Sequence, residues 1–167
     1  MAFRLLKSLL ILPGNVLGTV PAVILWGSAG SAFEWRLATT REIGFWAAVG
    51  LACVALALAI STMKLFVRVG EGTPAPWDPP KHLIVEGPYR YVRNPMISGV
   101  LFGLAAEALL FHSWPLAAWL GMFFVANNFY FSLVEEKKLL ARFGDQYALY
   151  KANVPRWLPR LKPWSPR

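Results

Sequence analysis

The sequence predicts an all-α integral membrane protein with about four transmembrane helices, the last two forming a C-terminal hairpin, and an interfacial cytoplasmic tail. Three observations predict it. Of the 167 residues, 56% are hydrophobic and 8 are Trp, more apolar surface than a soluble domain of this size hides. Four apolar stretches, 5–26, 43–67, 95–111 and 115–134, each approach the ~20 residues that cross ~30 Å of hydrocarbon, the third being short. The net charge of +8 sits on the segments between those stretches and on the tail, a pattern that fits anionic lipid headgroups better than nucleic acid.

The first stretch is interrupted by Pro13-Gly14-Asn15 and by Pro21, so a broken or partly interfacial helix is expected there. A cleaved signal peptide is its rival, because Arg4 and Lys7 precede the apolar run and small residues follow at 27–32. Three further apolar segments need a packing partner, which favours retention. The second stretch is the clearest span. Thr39-x-x-Glu42 forms a possible capping box before Ile43, and Lys64 and Arg68 mark the exit. Cys53, the single cysteine, lies in this run and reads as a buried small hydrophobe, with no disulfide framework available to it.

With four spans the connecting segments alternate sides. Fifteen of the 17 Lys and Arg then fall on the side of the N-terminus, the 64–93 segment and the tail, leaving Arg36 and Arg41 opposite. By the positive-inside rule both termini and the central segment are cytoplasmic. The chain reads as one membrane domain, 1–167, made of N-terminal helices (1–70), a cytoplasmic connector with the candidate loop (71–95), a transmembrane hairpin (96–134) and an interfacial tail (135–167). Residues 71–88 are too rich in proline for a helix or central strand.

Pro115 follows the short turn 112–114, which suits the first turn of a helix, so the third and fourth stretches form an antiparallel hairpin. Its cytoplasmic ends are neighbours. This topology brings Arg93, Asn94 and Pro95, which end the rigid loop from Gly87, towards Glu135 and Glu136, where the next apolar helix ends. A surface ion pair and a reaction site both fit that spacing. Gly99, Gly103 and Glu107 recur every four residues on one face, where Gly-x-x-x-Gly permits close approach by a helix or a ligand. Glu107 is acidic within a span and is a functional candidate by default; a structural glutamate bonded to Asn127 or Asn128 is the plain alternative. Asn128 and Glu135, seven apart, share a face of the fourth helix, for catalysis or for interhelical hydrogen bonding. His82 and His112 fall on opposite sides, so no metal site is expected. The tail from Gly144 mixes Tyr147, Tyr150, Trp157 and Trp164 with Lys and Arg, a headgroup-region composition.

These residues carry a resemblance. The run Leu83-Ile84-Val85-Glu86-Gly87-Pro88-Tyr89, Arg93-Asn94-Pro95 with Gly99, the pair Glu135-Glu136, and Tyr147-x-x-Tyr150-x-x-x-Val154-Pro155-Arg156 resemble the membrane methyltransferase superfamily of isoprenylcysteine carboxyl methyltransferases and phosphatidylethanolamine N-methyltransferases. The resemblance covers 82–163, about half the chain. It implies S-adenosyl-L-methionine held at the cytoplasmic face by His82, Val85, Gly87, Tyr89, Arg93, Asn94, Pro95, Gly99, Glu135 and Glu136. A lipophilic or lipid acceptor entering from the bilayer is implied too, with Arg93, Glu107 and Asn128 as candidate catalytic residues. Asn94 stands where the carboxyl methyltransferases usually have His, and Ile97 where they often have Tyr, which weakens transfer of the prenylcysteine substrate. A nicotinamide-dependent membrane reductase and a non-enzymatic membrane scaffold are the other classes. The acceptor and the oligomeric state are left open.

Overall fold

The computed structural model describes residues 11, 13–73 and 79–165, and these are helical with no strand among them. In order they form α1 (Asn15–Ser28), which opens on a π turn at Asn15–Thr19, then α2 (Ile43–Arg68) and a 3-10 turn (Gly87–Arg90). There follow α3 (Pro95–Leu110), α4 (Trp114–Tyr130), a π turn (Phe131–Glu135) and α5 (Glu136–Asn153). Two stretches are long and apolar enough to cross a membrane, α2 with 26 residues and the continuous run Trp114–Asn153 with 40; α1 and α3 are shorter apolar helices. The chain divides into two compact units, one of Met1–Ala57 with Gly99–Phe124, the other of Leu58–Ser98 with Val125–Arg167.

In the first unit, α1 is not broken at its prolines as the sequence suggests. The π turn sends the Val20 N–H to Asn15 O. The same pattern would have Pro21 donate to Val16, and proline has no N–H to give. The Trp119 indole N–H supplies the missing donor, at 3.3 Å from Val16 O. Gly103 of α3 makes a second close approach: a Cβ there would lie 2.9 Å from Leu17 Cδ2. The Gly-x-x-x-Gly face therefore receives α1. Residues 1–10 and 12, which include Arg4 and Lys7, lie outside the described residues.

Loop residues before α2 close the end of α3. The Arg36 and Ala38 N–H groups donate to the last carbonyls, Phe111 O at 3.2 Å and Leu110 O at 2.7 Å. The helix itself stops by a left-handed residue, His112 at φ 42, with Ser113 N–H bonded to Ala108 O at 3.1 Å and His112 N–H to Leu109 O at 3.3 Å, the paired bonds of a Schellman ending. Ser113 Oγ then accepts the Leu116 N–H and starts α4, with Pro115 in the first turn as expected. The capping box before α2 is half formed. Glu42 reaches back to the Thr39 N–H at 3.1 Å, but the Thr39 hydroxyl donates to Glu42 instead of capping the helix. Glu42 has a larger task, since Arg36 grips both its oxygens at 2.9 and 2.8 Å and His112 Nε2 lies 3.0 Å away. Hydrogen bonds from Arg36, then from the Thr39 N–H and hydroxyl, pull its carboxyl down to about 2.

Two expectations need correction. Cys53 is exposed on the protein surface, because α2 keeps few neighbours along its length and presents an apolar exterior. The fourth apolar helix does not end at Glu135-Glu136. It runs on through the π turn into α5, whose interior holds a reversal at Gly144 (φ 53, ψ −132).

In the second unit, the connector folds back onto the end of α2. Gly70 N–H bonds Leu65 O at 3.0 Å and Gly72 N–H bonds Phe66 O at 3.2 Å, while Lys81 N–H returns to Gly70 O at 2.7 Å. Only glycine fits at Gly70, where a Cβ would sit 2.9 Å from both Phe66 O and Pro80 Cβ. Two apolar clusters follow: Leu65, Ile84 and Tyr89 with Phe66 and Val69, and Tyr147, Tyr150 and Val154 with Leu83, Val85, Leu139, Phe143 and Trp164. The second cluster packs α5 and the tail against the 83–85 segment.

Candidate active site

The loop Gly87–Asn94 is held from both directions by the second unit's own residues. Gly87 takes φ 54 to start the 3-10 turn. Tyr89 packs its ring into the first cluster, edge-on to Phe66 at 6.3 Å, and its carbonyl accepts the Tyr150 hydroxyl at 2.7 Å. Burial raises the pKa of both phenols, so they serve as neutral hydrogen-bonding groups. From the other side the segment after α5 acts as a strap. Arg93 N–H donates to Pro155 O at 2.9 Å, Arg160 N–H to Tyr91 O at 3.0 Å and Trp164 N–H to Arg90 O at 3.0 Å, and Arg90 Nε returns a bond to Trp164 O at 2.8 Å.

This clamping fixes Arg93 against Glu136, the first residue of α5. Arg93 Nη1 donates to Glu136 Oε1 at 2.8 Å, with side chains only 11% and 7% exposed, and reaches the Tyr147 hydroxyl at 3.4 Å. Arg156 of the strap donates to the same oxygen through Nε at 2.8 Å and Nη2 at 2.6 Å, while Lys151 Nζ holds Oε2 at 2.7 Å. Burial pushes the Glu136 carboxyl up. Hydrogen bonds from Lys151 and Arg156 and the charges of Arg93 and Arg156 outweigh it, so the pKa lies below the ordinary carboxylate range. Arg156 Nη1 also bonds Asn128 Oδ1 at 3.2 Å and Ser132 Oγ at 2.6 Å. The same Asn128 oxygen accepts the Trp157 indole N–H at 3.0 Å.

One donor in this cluster is left over. Arg93 Nε is buried and has no hydrogen-bond partner, an arrangement that costs free energy unless an acceptor arrives. The neighbouring Glu135 is only partly buried, and its side chain accepts from Tyr130 Oη at 3.3 Å. Of the two adjacent glutamates, Glu136 is saturated by three cations and Glu135 keeps acceptor capacity.

The remaining candidates are distributed as follows. Asn94 is half-buried and its carbonyl accepts the Ser98 N–H and hydroxyl, both at 3.0 Å; Pro95 is fully buried at the start of α3. Val85 packs into the second cluster, and His82 is exposed. Gly99 and Glu107 belong to the first unit, where Glu107 Oε2 is buried without a partner. Arg156, Lys151 and Tyr147 complete the charge cluster and were not among the sequence candidates. Their signal was present, since Tyr147 and Arg156 stand in the tail motif that carried the resemblance. Among the described residues no group of His, Cys, Asp or Glu is arranged to hold a metal ion.

No curated protein and no solved structure matches the chain. Residues 43–146 match the family described as Phospholipid methyltransferase, a span that begins at α2, takes in the loop, Arg93 and Glu136, and exceeds half of the 167 residues. The chain belongs to the phospholipid methyltransferase family, a family of membrane methyltransferases.

Proposed function

We propose that this protein is an integral membrane methyltransferase that uses S-adenosyl-L-methionine and acts on a small lipophilic or lipid-like acceptor. In this reading the four apolar helices all span, both termini are cytoplasmic, and the cofactor site faces the cytoplasm. The observation that carries it is the buried Arg93 guanidinium with one N–H unpaired, bound to Glu136, whose sequence neighbour Glu135 keeps acceptor capacity.

The residues fit the cofactor by their chemistry. Its carboxylate suits Arg93 Nε, and its ammonium or ribose hydroxyls suit Glu135. When bound, the cofactor supplies a methyl group on a sulfonium, open to in-line displacement by a nucleophile. Glu136 holds the Arg93 fork through Nη1, and Arg156 and Lys151 hold Glu136 in turn. Asn128 acts at one remove: it holds Arg156 and Trp157 and is a positioning residue, not a catalytic one. The strap and the two clusters exclude water from one side of the loop, and positioning with water exclusion is the main contribution such a displacement needs. A carboxylate acceptor needs no base. An amine acceptor must lose a proton before its lone pair can attack.

The test is calorimetric binding of S-adenosylhomocysteine to the detergent-purified full-length protein. Saturable binding is expected for the wild type, with at least tenfold loss, ~1.4 kcal/mol or more, in both Arg93→Ala and Glu135→Ala. Absence of binding in a folded, monodisperse wild-type sample supplied with lipid would overturn the assignment.

A further inference from the structure

The strap that closes the loop from one side has a second face. Residues 154–165 lack regular structure, yet the side chains along them alternate in direction. Trp157 turns inward to Asn128 and lies edge-on to Phe131 at 6.0 Å. Arg160 turns in to the Asn153 carbonyl at 2.6 Å, and the Trp164 ring lies tilted against Tyr150 at 5.8 Å. Between them Leu158 and Leu161 point out, 81% and 100% exposed. The backbone bonds at Arg160 and Trp164 hold the segment in place, so these leucines have no slack with which to fold inward.

The surroundings are strongly basic. From 137 to 165 the chain carries Lys137, Lys138, Arg142, Lys151, Arg156, Arg160 and Lys162 against the single acid Asp145. Lys151 and Arg156 are engaged by Glu136. Lys137, Lys138, Arg142 and Lys162 are exposed. Fixed leucines beside exposed cations, with tryptophans at both ends, match an edge that sits in the headgroup region with its apolar tips below the phosphates. Lysine and arginine at that depth are drawn to a negatively charged leaflet and released from it by salt.

We propose that the strap docks on an anionic lipid surface, with Leu158 and Leu161 entering the acyl boundary and Lys162, aided by the exposed cations of α5, meeting lipid phosphates. The inference does not depend on methyl transfer. It concerns a face outside the apolar helices, and it commits to the lipid rather than to a protein partner because the exposed cations Lys137, Lys138, Arg142 and Lys162 outnumber the one exposed acid there, Asp145, and the chain belongs to a membrane family.

The test uses the full chain in nanodiscs, with Cys53→Ser removing the native thiol and Leu161→Cys carrying an environment-sensitive nitrobenzoxadiazole label. Leu161 is fully exposed, so the label displaces no packing. The expected result is blue-shifted emission that brominated acyl chains quench, stronger in phosphatidylglycerol-containing discs than in pure phosphatidylcholine and weakened by Lys162→Glu or by high salt. Emission typical of water and unquenched in both compositions overturns the docking. Equal quenching in the two compositions, insensitive to salt, overturns the anionic partner. The ligand is lipid in every arm and S-adenosylhomocysteine is absent, so failure here is separate from failure of the cofactor assignment.

Discussion

Of the two adjacent glutamates, Glu136 holds the buried ion cluster and Glu135 is the one proposed to meet the cofactor. Glu136 is 7% exposed and faces Arg93, Arg156 and Lys151; neutralising it leaves two largely buried arginines without their counter-ion. Breaking such a buried arrangement typically costs about 3–5 kcal/mol, so Glu136→Gln is expected to lower the unfolding free energy in detergent by that order. Glu135→Gln removes a charge but keeps an oxygen that can accept the Tyr130 hydroxyl, and should change stability by less than about 0.5 kcal/mol while weakening S-adenosylhomocysteine binding. Equal destabilisation by the two variants would contradict this division. The pH dependence has a definite sign. A carboxyl whose folded pKa is depressed contributes stability above its unfolded value and loses it as pH falls through the folded value. Wild-type thermal stability should therefore decline below the ordinary carboxyl value of 4.5, and the decline should be shallower in Glu136→Gln.

At the scale of elements, Gly144 is the position where composition and conformation are most tightly tied. It sits at φ 53, ψ −132 inside α5 with nothing within 4 Å of where a Cβ would lie. Gly144→Ala should thus cost about 1–3 kcal/mol through the backbone alone, measured by chemical denaturation, whereas Gly121→Ala, equally open but helical, should cost nothing measurable. The apolar runs made α2, α3 and the start of α4 legible nearly to the residue, because the run and the helix share a cause. The π turns were not legible. Asn128 and Glu135 share a face only in an uninterrupted α-helix, but Phe131–Glu135 takes up one extra residue, and the carboxylate linked to Asn128 through Arg156 is Glu136. Nothing in periodicity marks an inserted residue. Arg156 escaped for a related reason: its partners lie 20 and 28 positions away, beyond any spacing rule, and only the hairpin argument reached across the chain, where it paired Arg93 with the glutamates.

On the scale of the whole molecule, α2 bears Trp46, Val54, Leu56 and Ile60 on exposed positions, an apolar exterior that requires lipid. The protein should remain in the membrane pellet after alkaline carbonate extraction; release into the supernatant would contradict the spanning reading. The proposed orientation is checked with a membrane-impermeant maleimide on intact cells, in a Cys53→Ser background. Glu34→Cys should react and Ser165→Cys should not, and the reverse pattern would invert the topology.

The strap also bears on how the protein is made. Arg156, which shares the Glu136 oxygen with Arg93, lies near the C-terminal end of the chain, and the carbonyls of Arg90 and Tyr91 wait for Trp164 and Arg160. Along the chain all four apolar helices precede Arg156, so their sequence is complete before the cluster receives its last cation. A chain cut short before Arg156 would carry all four apolar helices yet lack that cation and the strap bonds to Arg90 and Tyr91.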